Sequence, residues 1–329
     1  MIILRKYLSY TVMSVLCLFL LSACQEEEYM IPELEPGLHN DVIKRTLGPN
    51  VVGLDIEFAY AMALPREEGR IVSAQVDASI PGAEGTYLEH RSYHTNGSGE
   101  DVGVIVGEPS VTQGVSSKVN MVSDTNAVTL RYYYMIPEEA RGKEVTFNFS
   151  ANGSNGQTVT YAMGPYQISK MDMVLDLEVT DGDSSYISLE DMAVYNTADA
   201  AANAGKIDLV YLYRSIPGVA FNHALVSPAN SAYLPDVTLP TGVNRSSKIR
   251  KAWALRDFHL ARLQYGIYID DLDFEKLDLS DSPNYAINLR SEAGAWVETA
   301  DGKYKAYIYF NSVDNENRKA TISIKRYSF

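Results

Sequence analysis

Between residues 54 and 62 the chain alternates: Leu54, Ile56, Phe58, Tyr60 and Met62 fall on one side of an extended strand, with Asp55, Glu57, Ala59 and Ala61 on the other. A period of two marks a strand with one buried side. Val145-Thr146-Phe147-Asn148-Phe149 alternates likewise, and Gly153-Ser154-Asn155-Gly156 separates it from Thr158-Val159-Thr160-Tyr161. That arrangement predicts a hairpin, since Gly and Asn readily take the backbone of a tight turn. Val128 to Met135 reads as a Tyr-rich strand. Pro137-Glu138-Glu139-Ala140 then reads as a short helical turn, opened by Pro and closed by Gly142. Short strands separated by glycine at this spacing predict an antiparallel, immunoglobulin-like β-sandwich over 41–170.

Residues 171–329 are less uniform. Ile207 to Tyr213 is apolar on both faces and reads as a central strand. Thr197, followed by Ala198 to Ala204 and then Gly205, predicts a short capped helix. Ser246 and Ser247 predict the cap of a second helix reaching about Leu255, with Ile249, Ala252 and Trp253 on one side. The chain closes on a hairpin: Tyr304 to Phe310, a polar loop, then Ala320, Ile322 and Ile324 alternating with Thr321, Ser323 and Lys325. No repeat of solenoid length and no strand–helix alternation is found. The expected fold class is mainly β: two antiparallel sandwiches, immunoglobulin-like or jelly-roll-like, with a few short helices in the second.

The first 24 residues, MIILRKYLSYTVMSVLCLFLLSAC, change the picture of where this body works. Arg5 and Lys6 precede an apolar run from about Leu8 to Leu21, too short for a comfortable membrane span of about 20 residues. A cleaved export signal over 1–23 is expected. Leu21-Ser22-Ala23-Cys24 matches a bacterial lipobox, which makes Cys24 the lipidation site. Cys17 leaves with the signal, so the mature chain keeps no thiol for a disulfide, a metal or a nucleophile. Two or more hydrocarbon chains anchor a protein stably where one does not. Gln25-Glu26-Glu27-Glu28 and the Pro-containing stretch to residue 40 read as an extended acidic tether over 24–40.

The 329 residues carry 28 Lys and Arg against 42 Asp and Glu, a formal net charge of −14. Loss of Arg5 and Lys6 with the signal leaves 26 cations and makes the charge −16. That excess argues against nucleic acid as a partner, because phosphates demand clustered Lys and Arg. Hydrophobic residues make up 46% and charged residues 21%, an ordinary globular composition.

Three stretches carry a resemblance: GSNGQTVTYAMGPYQISK, GKIDLVYLYRSIPGVAFNHALVSPA and DLDFEKLDLSDSPNYAINLRSEAGAWVETADGKYKAYIYF. Together they resemble two-domain surface lipoproteins of Bacteroidetes with an immunoglobulin-like N-terminal half. The resemblance covers most of the mature chain and brings no catalytic pattern. It implies an outer-membrane lipoprotein, facing outward as the acidic run after Cys24 suggests. Through relatives beside outer-membrane glycan-uptake systems, it associates the chain with polysaccharide as a partner.

Motifs for chemistry are scarce. There is no G-x-S-x-G elbow, and Gly97-Ser98-Gly99 reads as a turn. His90 and His94 stand four apart without a predicted helix or an HExxH frame. The acidic run Asp270, Asp271, Asp273, Glu275, Asp278 and Asp281 fails the EF-hand pattern, since Lys276 stands where Gly is needed. No catalytic residue, metal ligand or cofactor is therefore expected.

Arg245, Lys248, Arg250, Lys251, Arg256 and Arg262 form a basic stretch just before that acidic run. Mutual neutralisation of the two segments is one reading. A basic patch for an anionic glycan or sulfate is the other. Aromatic rings suit the apolar face of a sugar. Trp253, Trp296 and Tyr133, with Arg250 and Lys251, are accordingly the expected ligand-binding residues, Trp253 being placed on the second helix. A non-catalytic binding module for glycans is the leading expectation. A structural or adhesion protein binding other surface proteins is the alternative.

Overall fold

A computed structural model describes residues 35–329. Cys24, the export signal and the tether up to residue 34 lie outside the described residues. The first half carries β1 (His39–Lys44), β2 (Asp55–Ala63), β3 (Ile71–Ala78), β4 (Tyr87–Leu88), β5 (Arg91–Thr95) and β6 (Asp101–Ile105). It continues through β7 (Val111–Gln113), β8 (Ser116–Asn120), β9 (Ala127–Met135), β10 (Glu144–Gly153) and β11 (Thr158–Gln167). Sheet β1-β2-β9-β4 faces sheet β11-β10-β3-β8-β7, and β5-β6 forms a separate hairpin. The predicted inward set of β2 is buried from Ile56 to Met62, where Phe58 and Tyr60 pack on Phe149. The predicted hairpin is β10–β11, and the helical turn is a single 3-10 turn, Glu138–Ala140. Gly97 to Gly99 is a turn, in which the Asn96 side chain accepts from the amides of Ser98 and Glu100.

The second half contains β12 (Asp172–Thr180), β13 (Tyr186–Ser188), β14 (Ala193–Tyr195), α1 (Thr197–Ala202), β15 (Leu209–Ile216) and β16 (Val219–Val226). It ends with β17 (Lys248–Trp253), α2 (Phe258–Ala261), α3 (Asp271–Lys276), β18 (Tyr285–Leu289), β19 (Ala293–Glu298), β20 (Tyr304–Asp314) and β21 (Lys319–Ser328). Sheet β12-β21-β20-β19-β17 faces sheet β14-β13-β15-β16-β18 across a core that includes Tyr211, Ile249, Ile308 and Ile322. Most of its strands are covered on both sides. Ala200 of α1, Leu234 and Val243 cover the outer face of the second sheet. Leu260 of α2, Ile269 and Phe274 of α3 cover the outer face of the first. This is why β15 and β20 are apolar on both faces. The chain is mainly β, built from antiparallel sheets with few short helices.

One expected helix is absent. Residues predicted to run helically from Ser246 to Leu255 form instead the edge strand β17, paired in register with β19 from Lys248↔Glu298 to Trp253↔Ala293. Ile249, Ala252 and Trp253 fit a helical spacing. Ile249, Lys251 and Trp253 fit a strand equally well, and pairing with a distant segment decides between them. The first helix starts one residue earlier than expected, with Asn196 rather than Thr197 as its cap.

The two halves share contacts at their junction. Val51 and Met171 sit in the same cluster as Leu260, Phe274 and Tyr327. Arg141 donates to the carbonyls of Lys170 (3.3 Å) and Met171 (2.9 Å) and pairs with Asp172 at 2.7 Å. Asp271 accepts from the Ser169 hydroxyl and, at 3.0 Å, from the Lys170 amide. Residues 37–329 form one compact unit. Removing a part-buried guanidinium strands the groups it served, at a cost of about 1–3 kcal/mol. Arg141→Ala is thus expected to lower the unfolding free energy measured in urea by that amount while keeping a single transition. A second, separate transition would show that the halves unfold independently.

Candidate functional site

Strand register places Arg250, Trp296, Tyr307 and Lys325 in one row across the outer face of the first sheet of the second half. Arg250 lies opposite Trp296, Trp296 opposite Tyr307, and Tyr307 opposite Lys325. The chain from 254 to 277 crosses over this row and gives its two ends opposite environments.

The inner end is dry. Lys325, expected on the polar side of its strand, is fully buried, as is Asp257, and the two pair at 2.6 Å. The Lys325 ammonium also donates to the Ile269 carbonyl at 3.0 Å. Asp257 caps α2 through the Leu260 amide (3.0 Å) and accepts from the Ile269 amide (2.8 Å). Burial pulls the Lys325 pKa down, and Asp257 opposes that. His259 stands beside the pair. Its pKa is lowered to about 4, first by burial and then by Lys325, with Asp257 acting the other way. Tyr307 donates to the Leu255 carbonyl at 2.6 Å, which pins the crossing segment to the sheet.

The outer end is open. Where α3 overhangs the edge strand, Arg250, Leu272, Asp273, Lys276, Leu277, Asp278 and Trp296 line a cleft of about 510 Å³. Trp296 is half-buried and braced by Phe274 (centroids 5.4 Å apart) and Tyr307 (4.7 Å). Arg250 donates to the Asp278 carbonyl at 3.0 Å. Asp270 and Asp273 form the capping box of α3, the Asp273 carboxylate accepting from the Asp270 amide at 3.0 Å. Asp278 accepts from the Ser280 amide at 2.9 Å, and that backbone bond is the first cause of its lowered pKa. Among the described residues, no group of three His, Cys, Asp or Glu is placed to hold a metal ion.

Of the residues expected to touch ligand, the structure thus brings Arg250 and Trp296 together. Lys251 and Trp253 point to the other face of β17. There the Lys251 ammonium donates to the Ile287 carbonyl (2.8 Å) and to that of Asn288, and lies 3.8 Å from the centre of the Trp253 ring. Burial brings the Lys251 pKa down to about 8, with Arg290 acting in the same direction. Trp253 is 60% exposed and stands on a strand, not on the expected helix. Tyr133 belongs to the first half, on β9, where it stacks on Tyr87 at 5.0 Å; burial is the first cause that pushes its pKa up to about 12. The flanking Tyr132 and Tyr134 are buried core.

The cleft residues that sequence reasoning missed are Asp273, Lys276 and Asp278. They lay in view within the acidic run, next to the basic stretch. However, the two runs do not neutralise each other as ion pairs. Arg245 pairs with Asp208 and Asp301, Arg256 with Glu292, and Arg262 with Asp176. A second groove, also about 510 Å³, lies in the first half between the Asn40 end of β1 and the β5–β6 hairpin. Tyr93 and His94 form one of its walls, and it contains none of the expected residues.

Fold and cleft together define a β-sandwich protein with an open, aromatic-floored polar cleft. Residues 35–168 match the domain of unknown function DUF4466, and residues 169–329 match the domain of unknown function DUF8576. A crystal structure of a DUF4466 family protein from Parabacteroides merdae is 48% identical, with a TM-score of 0.83 over 90% of this chain and 100% of that one. The chain belongs to the DUF4466 family. The major pilin BcpA of Bacillus cereus is matched at 10% identity and TM-score 0.28, over 87% of this chain and 63% of that one. A C-terminal fragment of the major pilin GBS80 of Streptococcus agalactiae is matched at 9% and 0.27, over 87% and 91%. These two likenesses are too slight to carry an argument. No curated protein matches.

Proposed function

We propose that this chain is a non-catalytic binding module for glycans, held on the outer membrane by a lipid on Cys24 and facing outward beside an uptake system. The observation that carries the reading is the meeting of Arg250 and Trp296 with Asp273, Lys276 and Asp278 in one cleft. A sugar offers an apolar face and a rim of hydroxyls. The braced Trp296 ring suits the face, while a guanidinium and carboxylate oxygens suit the rim. The volume lies within the usual range for ligand pockets, roughly 300–1,000 Å³. A lipid tether keeps captured polymer close to the membrane, which gives a module without catalysis a use.

The test is retention of the full-length purified chain on a broad polysaccharide panel. At least one glycan is expected to be retained by the native chain, and retention is expected to fall at least tenfold in Trp296→Leu with the melting temperature as the folding control. Absence of retention across the panel would remove the proposal.

A further inference from the structure

Resting on that reading, we infer that the sugar bound in this cleft is acidic, its carboxylate or sulfate group lying between Arg250 and Lys276. On a body with a net charge of −14, cations are expected to be claimed by carboxylates. Those of the same basic stretch at Arg245, Arg256 and Arg262 are so claimed. Arg250 and Lys276 differ. Both line the cleft, and among the described residues neither makes an ion pair, although the Asp278 carboxylate lies near enough to feel the Arg250 charge. One Arg250 nitrogen is spent on the Asp278 carbonyl, which fixes the guanidinium and leaves its other N–H donors for an oxyanion.

The acids of the cleft are differently disposed. Asp273 accepts from the Asp270 amide and Asp278 from the Ser280 amide, so each carboxylate already serves its own turn. Lys305 donates to the carbonyls of Phe274 and Leu277, adding a third positive charge behind the same segment. Trp296, directly across the strand pair from Arg250, then takes the ring that bears the anion. An oxyanion with donors on two sides and an aromatic floor is recognised as a unit, which a neutral sugar cannot exploit.

The experiment compares binding of the full-length chain to polygalacturonate, to dextran sulfate and to neutral dextran, each at low and high salt. Expected are tighter binding to one or both acidic polymers than to dextran, and weakening by added salt. Arg250→Ala and Lys276→Ala are each expected to weaken acidic-polymer binding tenfold or more, and Arg250→Lys to recover only part of it. The preferred polymer distinguishes carboxylate from sulfate. Both side chains are exposed, so the variants are expected to melt like the native chain. Dextran binding that depends on Trp296 but ignores both cations would overturn this inference and leave the glycan reading standing. Retention of no glycan at all would overturn both.

Discussion

Lys325→Met is expected to destabilise the chain by about 3–5 kcal/mol, because it leaves the Asp257 carboxylate charged and unpaired in a dry interior. Lys325 and Asp257 are both fully buried, and their contact at 2.6 Å has no solvent to screen it. Against a typical total stability of about 5–15 kcal/mol, that is a large fraction. Asp257→Ala is expected to be at least as damaging. It strands the ammonium and also removes the acceptor for the amides of Leu260 and Ile269. The double variant should lose less than the two single losses added together, since neither charge is then left alone. Urea denaturation of the four proteins measures the coupling. A Lys325→Met loss below about 1 kcal/mol would mean that water reaches the carboxylate and that the crossing segment does not seal the sheet.

Acid is expected to weaken the fold through two buried histidines, against a smaller opposing gain from Asp208, whose pKa burial raises to about 6. His223 and His259 are held neutral, both with pKa values lowered chiefly by burial, His259 to about 4. His223 Nε2 donates to the Asn315 side-chain oxygen (2.8 Å), and its Nδ1 lies 2.6 Å from the Tyr211 hydroxyl, while burial disfavours the charged ring. The unfolded chain takes up protons near pH 6.5, while the folded chain does not. The stability these groups contribute is therefore present above about pH 6.5 and is lost as the pH falls toward about 4. For His259 the ceiling is about 3 kcal/mol; partial access to solvent brings it to about 2 kcal/mol. Stability measured between pH 7 and 4 should fall in the native chain and fall less steeply in His259→Gln. Native and His259→Gln profiles that run parallel over that window would show that the His259 ring titrates freely.

The strands that were readable were those with one wet face. β2 could be placed because Phe58 and Tyr60 look inward while Glu57 and Ala59 look out, and β10–β11 because its turn residues are adjacent in the chain. β17 was misread because its six residues fit two periodicities, and the partner that decided the matter, β19, lies far along the chain. Lys325 was placed on a polar face because alternation reports which side chains differ, not what covers them; here α2 and the crossing segment cover that face. Among the candidate ligand residues, composition drew notice to Arg250 and Trp296, which the structure places in one cleft. It had no means of separating Arg250 from its neighbour Lys251, which a strand turns to the opposite side.

Local pattern by itself determined a β protein, its main hairpins and the scarcity of catalytic motifs, because periodicity and turn chemistry act over a few residues. Tertiary structure alone decided which charges are buried, which are paired, and which side chains share a cleft. Those depend on register between strands and on what lies over each sheet, and both are long-range consequences of burying apolar surface.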